Sequence, residues 1–260
     1  MITDHTIIIE GVQKTYGRKV AVRDLTLRIP SGELFAFLGP NGAGKTTTIK
    51  MIVGLLRPDR GLVRVCGEAV GTNGLAAKAK IAYVPDQPFL YEKLTGREFL
   101  YFVAEMYALS DGERDERLAK LNRSLDMAEF LDQLTESYSH GMKQKVALAA
   151  AMLHDPAVLV IDEPMVGLDP RTIRVVKDLF VEHARKGGTV FMSTHTLDIA
   201  EAVADRIGII HRGELIAVGT LADLRAQARR QHSLEEIFLE MTEGTDDPRR
   251  EPLPTRSVKG

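Results

Sequence analysis

Three groups of residues in this chain have the types and spacing to handle phosphate. Gly39, Gly44, Lys45 and Thr46, within GPNGAGKTT at residues 39 to 47, satisfy G-x-x-x-x-G-K-[ST]. They stand between the apolar run LFAFL and the helical pattern TTTIKMIVGLL, the strand-to-helix context such a loop needs. Glycines let backbone N–H groups curl around phosphate oxygens, and a helix N-terminus adds partial positive charge. Lys45 would then reach the β- and γ-phosphates, and the Thr46 hydroxyl would ligate Mg²⁺. A glycine turn that merely happened to precede Lys-Thr would have no reason to sit in that context.

The second group is the acid pair closing AVLVIDEP, residues 157 to 164. An apolar strand delivers Asp162 and Glu163 at its C-terminal end, where parallel sheets hold their ligands. Asp162 suits a water-mediated hold on Mg²⁺, and Glu163 suits orienting or deprotonating the water that attacks the γ-phosphate. Loop acids capping the following segment are the plainer alternative, which the glycine loop disfavours. His195 follows TVFMST at an equivalent strand end. A lone histidine is more often a packed core residue, but this position favours a hydrogen bond to the γ-phosphate or to the attacking water. A further stretch, SYSHGMKQKV at residues 137 to 146, opens an apolar helical pattern. Ser139 can cap that helix and donate to a phosphate oxygen, with the following backbone N–H groups and the helix dipole completing an anion site.

These residues need a scaffold that brings several strand ends together. Short β-branched runs alternate with helical patterns: LFAFL (34 to 38), IAYV (81 to 84), VLVI (158 to 161), TVFMS (189 to 193) and IGII (207 to 210). They predict a mainly parallel sheet with helices on its faces. TIIIEGVQ and the alternating Leu25, Leu27 and Ile29 predict antiparallel strands with one exposed face, making the sheet mixed. Between about residues 95 and 155 the strand signal disappears. Thr95 with Glu98 and Ser110 with Glu113 have the spacing of capping boxes, so this region reads as a helical insertion. Thr220 with Asp223 and Ser233 with Glu236 predict a short helical appendage, in which Arg225, Arg229 and Arg230 read as a solvated face. The tail TEGTDDPRREPLPTRSVKG is charged and poor in apolar residues, and reads as disordered from about residue 243.

Composition narrows the classes. With 260 residues and 44% hydrophobic content the chain can build a sizeable core. Lys+Arg 34 against Asp+Glu 36 gives no global basic field for nucleic acid, and no nucleic-acid partner is expected. The single cysteine, Cys66, permits no intrachain disulfide and reads as a small strand residue in GLVRVC. No apolar run approaches the roughly 18 residues of a membrane span, and MITDHTIIIE lacks the order of a signal peptide, so a cytoplasmic location is expected.

Together these residues resemble the ATP-binding cassette of ABC transporters over residues 5 to 220. GPNGAGKTT resembles the Walker A motif, whose Pro40, Asn41, Gly42, Ala43 and Thr47 join the residues above in binding ATP. VLVIDEP resembles Walker B with catalytic Glu163, GLDP the D-loop with Asp169, and STH the switch segment with catalytic His195. Tyr16, in KTYGRKVAV, matches the aromatic that stacks on adenine. In YVPDQPFLY, Asp86 stands where the family usually has glutamine and Gln87 follows; Asp86 is expected to hold the metal through water. The family pattern L-S-G-G-Q becomes Tyr138, Ser139, His140, Gly141 and Met142, in which Ser139 and Gly141 keep the parts that bind an anion.

The resemblance implies an α/β fold: a P-loop NTPase, RecA-like core with an N-terminal antiparallel β subdomain and an inserted α-helical subdomain. The implied core covers about 5–88 and 156–220, the helical subdomain about 89–155, and the appendage about 221–241. It further implies ATP and Mg²⁺ as cofactors and a second cassette, homodimeric or related, paired head to tail. Integral-membrane permease subunits would place the chain on the cytoplasmic face of the cell membrane. PFLYEKLTGREFL and SLEEIFLEMT resemble ATPases of bacterial exporters, with Phe89, Leu90 and Tyr91 near a permease coupling helix. The competing readings are a soluble ABC ATPase acting on ribosomes or DNA, and a regulatory cassette with weak catalysis. The first expects paired cassettes or long coiled-coil insertions, and the second expects loss of Glu163 or His195.

Overall fold

The computed structural model describes residues 5–71 and 74–227, with 235, 236 and 238. Two antiparallel strands, β1 (His5–Tyr16) and β2 (Lys19–Pro30), come first among the described residues and pair from His5–Pro30 to Tyr16–Lys19. Next come β3 (Leu34–Leu38) and α1 (Lys45–Ile52), followed by β4 (Arg60–Val65) and β5 (Glu68–Ala69). Among the described residues these form a four-stranded sheet in the order β2-β1-β4-β5, from which β3 is absent. Inward residues Ile7, Ile9, Leu25, Leu27 and Ile29 are buried, which is why the run alternates.

A second, six-stranded sheet carries the site. After α2 (Leu75–Lys78) and β6 (Ile81–Val84), the strands are β7 (Val158–Asp162), β8 (Thr189–Thr194), β9 (Arg206–His211) and β10 (Glu214–Gly219). The order is β10-β9-β3-β8-β7-β6, all parallel except the β10 edge. The sheet is therefore mixed, but through β10; the N-terminal strands expected to make it so form a sheet of their own. The five predicted strands all lie here, and the residues of β3, β7 and β8 are buried throughout. Leu34, Ala36 and Leu38 enter one apolar cluster with the helices, while Phe35 and Phe37 enter another with the antiparallel sheet. Burial on both faces explains why these strands read as unbroken apolar runs.

Between β6 and β7 run α3 (Gly96–Met106), α4 (Asp111–Leu125) and α5 (His140–Leu153). Both expected capping boxes are present, Thr95 with Glu98 and Ser110 with Glu113. The sheet is completed on its helical side by α6 (Pro170–Arg185) and α7 (Leu197–Val203). The Thr220–Asp223 cap starts α8 (Leu221–Gln227), where Arg225 is exposed as expected and pairs with Glu201 at 2.7 Å. Ser233, Arg229, Arg230 and the tail from residue 243 lie outside the described residues. Cys66 sits just past β4 with φ of 50°, so it is a half-buried turn residue rather than a strand residue.

Tyr138 anchors the start of α5 to this helical layer. Its buried hydroxyl donates to the Phe130 carbonyl (2.7 Å) and accepts from the Gly96 N–H (3.2 Å). Tyr138→Phe strands both backbone groups and should cost about 1–3 kcal/mol, read as a lower midpoint in urea unfolding.

Candidate functional site

The strand order makes β3, β8 and β7 neighbours, so the segments leaving their C-terminal ends meet at one sheet edge. The chain leaves β3 at Gly39, where any side chain would collide with the Ile210 carbonyl. Gly44 has φ of 114°, and a methyl group there would lie 2.6 Å from the Ala21 carbonyl oxygen. Both glycines are thus required by close approach of other backbone. The turn after β9 braces the loop from behind: the Gly213 N–H donates to the Ala43 carbonyl at 2.8 Å. Lys45 begins α1 in a buried position, and its ammonium donates to the carbonyls of Gly39 (2.7 Å) and Pro40 (3.3 Å). The lysine therefore closes the loop on itself.

The adjacent acids have separate partners. Asp162, 3% exposed, accepts from the Thr46 hydroxyl at 2.9 Å through one oxygen and from the Ser193 hydroxyl through the other. Glu163 turns away from the strand with φ of 52°, while its N–H still donates to the Ser193 carbonyl at 3.2 Å. That left-handed step points its carboxylate elsewhere: Oε1 lies 2.9 Å from His195 Nδ1 and 3.7 Å from Lys45 Nζ. The His195 N–H also donates to Oε2 at 3.4 Å. His195 thus meets Glu163, a base-and-orienter geometry suited to activating water.

A polar cavity opens above these groups, lined by Tyr16, Lys19, Ala21, Pro40, Asn41, Gly42, Gly44, Lys45, Thr46, Thr47, Asp86, Asp162 and Glu163. Tyr16 ends β1 half-exposed at its rim, with Lys14 Nζ 5.9 Å from the ring centroid. Asp86 faces the cavity, whereas Gln87 is not among its lining residues. Burial, with the charges of Asp162 and Asp86, pushes the Tyr83 hydroxyl up to about 12, so a neutral phenol stands beside both acids. The Thr46 hydroxyl, bonded to Asp162, and the Asp86 carboxylate on the same cavity wall are oxygen donors of the kind Mg²⁺ takes.

Several predicted residues lie off the cavity wall. Gly39, Ala43 and His195 are not among the lining residues, and His195 touches Glu163, which is. Ser139 caps α5, its hydroxyl accepting from the Met142 N–H at 3.3 Å, and Gly141 stands beside it; neither faces this cavity. Asp169 also faces elsewhere, accepting from the N–H groups of Arg171 and Thr172 (both 3.0 Å) and the Thr172 hydroxyl (2.6 Å). The Thr172 hydroxyl in particular holds the Asp169 carboxyl down to about 2. Lys19, Ala21 and Ser193 were not foreseen. Ser193 is concealed in an apolar run and reaches Asp162 only because β7 and β8 pair in register at those two residues.

The model of the family described as ABC transporter matches residues 22–166. The chain belongs to the ABC transporter family. The linearmycin resistance ATP-binding protein LnrL of Bacillus subtilis (strain 168) is 40% identical over 215 residues, 83% of this chain and 69% of that protein. A solved ATP-binding subunit of an ABC transporter superposes with a TM-score of 0.87 at 37% identity, over 91% of this chain and 99% of that one. A dimeric ATP-binding cassette in a post-hydrolysis state, bound to ADP and Pi, matches with a TM-score of 0.74 at 26% identity, over 83% of this chain and 98% of that one. This ABC protein is an ATP-binding, ATP-hydrolysing subunit of an ABC transporter. No described helix is long and apolar enough to cross a membrane.

Glu163→Gln keeps the shape of the side chain but removes its basicity. Steady-state turnover should fall about 10²–10⁴-fold with ATP still bound, as read by nucleotide co-eluting with the protein. Unchanged turnover would remove Glu163 from the role of base.

Proposed function

We propose that this ABC subunit works as one half of a head-to-tail pair of cassettes that drives export through separate permease subunits. The observation carrying this reading is that the two anion-binding halves of the chain do not face each other. The Walker A loop and Asp162 line the cavity, while the Ser139-capped end of α5 is exposed and absent from its wall. A half-site of that kind is useful only to a nucleotide held by another chain, and the dimeric post-hydrolysis relative is consistent with it.

In this arrangement Tyr16 stacks on adenine, and backbone N–H groups from Gly39 to Thr47 hold the phosphates with Lys45. Thr46, Asp162 and Asp86 would hold Mg²⁺, which supplies charge neutralisation on the phosphate oxygens. Glu163, oriented by His195, takes the proton of the attacking water, and the partner's copy of the Ser139 end completes donation to the γ-phosphate. Asp169 belongs to the same interface through the turn it caps, rather than through direct contact with its own chain's nucleotide.

An aromatic patch supports a permease partner. Phe89 is 78% exposed, and Phe89, Tyr91, Phe99 and Phe102 make edge contacts at 5.6 to 6.0 Å just beyond Asp86. An apolar surface adjoining the nucleotide site fits a segment of a membrane subunit that senses ATP. That assembly would hold the chain at the cytoplasmic face of the cell membrane. The linearmycin-resistance name of LnrL supports the export reading.

Ser139→Arg puts a bulky cation where the partner's phosphate should dock. ATPase activity should drop at least about 100-fold while binding of a fluorescent ATP analogue to the isolated subunit stays intact. Gly141→Asp should behave alike, and wild-type turnover in both variants would defeat the composite-site reading.

A further inference from the structure

His140 stands where the family pattern has glycine, and its ring is seated on another segment. A methyl group placed on Gly167 would collide with His140 Cδ2 and come within 3.2 Å of its Nε2. One residue on, a methyl group on Gly141 would lie 2.8 Å from the Gly167 carbonyl oxygen. The same helical face continues with Gln144, fully buried, whose amide donates to the Pro164 carbonyl at 3.4 Å, and with Lys145, whose charge reaches Asp169. Residues 140, 141, 144 and 145 share one face of α5 by helical spacing; the first three touch residues 164 to 167, and the charge of Lys145 acts on Asp169.

That segment leads directly from Glu163. The Val166 N–H donates to the Glu163 carbonyl (3.4 Å), and the Leu168 N–H donates to the Met165 carbonyl (3.3 Å). Glu163 itself is held in a left-handed conformation, so its orientation depends on the turn that follows. The N-terminus of α5 and the base therefore belong to one continuously packed unit. Gly167, with φ of 78°, lets His140 approach its Cα.

We propose that His140 is a positioning residue: its ring, clamped over Gly167, couples the orientation of Glu163 to the end of α5 that the chain offers to its partner. Resting on the paired-cassette reading, this makes the two ATP sites of the pair respond to one another through each chain's own 163–169 turn. The coupling comes from ring packing, so it needs no charge on the imidazole.

The test measures ATP dependence of hydrolysis by the full-length protein, with ATP-driven dimerisation of Glu163→Gln, read by size-exclusion chromatography, as the control on pairing. His140→Gly should lower the Hill coefficient from about 2 toward about 1. Binding of a fluorescent ATP analogue to the monomer should be unchanged. Gly167→Ala, which displaces the ring, should do the same, and His140→Phe, which keeps a ring there, should retain cooperativity. An unchanged Hill coefficient in His140→Gly overturns the coupling role, and loss of cooperativity in His140→Phe overturns packing as its cause. If Glu163→Gln does not dimerise with ATP, the paired reading fails and takes the proposal with it.

Discussion

Two adjacent carboxylates at the end of a strand buried on both faces are tolerable only if each is matched by its own donors. An unpaired buried charge would cost several kcal/mol, enough to threaten a domain of ordinary stability. The left-handed step at Glu163 resolves the conflict by sending the two side chains in different directions. Asp162 stays in the sheet edge between the hydroxyls of Thr46 and Ser193, and Glu163 swings toward Lys45 and His195. Every one of those four partners comes from β3, from β8 or from the segment just after one of them. The order β3-β8-β7 is therefore what allows the acid pair to exist, and the acid pair is what gives the phosphate loop its chemistry.

Much of this was legible because the signals are local. The two glycines and Lys45 announce a phosphate loop because all three fall within one short stretch, although the backbone that requires the glycines, at Ile210 and Ala21, is distant in sequence. The capping boxes at Thr95 and Ser110 read equally well, since both partners of each lie within one helical turn. What stayed hidden depends on non-local register. Nothing in TVFMST marks Ser193 as a partner of Asp162; that follows only from their pairing across two parallel strands. The N-terminal strands likewise show their antiparallel pairing in sequence, but not that they form a separate sheet, because alternation reports one exposed face and not which strands are neighbours.

Asp169 and Ser139 illustrate a different limit. Both occupy positions that the family resemblance assigns to nucleotide contact, yet within this chain both are helix caps. The two descriptions are compatible. A capping side chain holds a helix end in place while leaving the remaining backbone N–H groups directed outward, and it is those groups and the dipole that attract an anion. Sequence reasoning identified the residues but could not separate what they do for their own helix from what they do for a ligand. The structure makes the separation by showing where the side-chain oxygens are already spent.

The replacement of a family glycine by His140 then has a physical reading. Glycine at the opening of a helix confers backbone freedom, and that freedom would let the end of α5 move independently of the turn beneath it. A ring packed on Gly167 removes such independence, while Gly167 itself supplies the missing space by having no side chain. The substitution and the glycine opposite it are complementary in volume, so the small residue has moved across the contact rather than vanished. An interface arranged this way favours concerted over piecemeal motion, because displacement of either surface requires displacement of the other. Under the proposed role of His140, coupling between the base and the end of α5 is a property of packing.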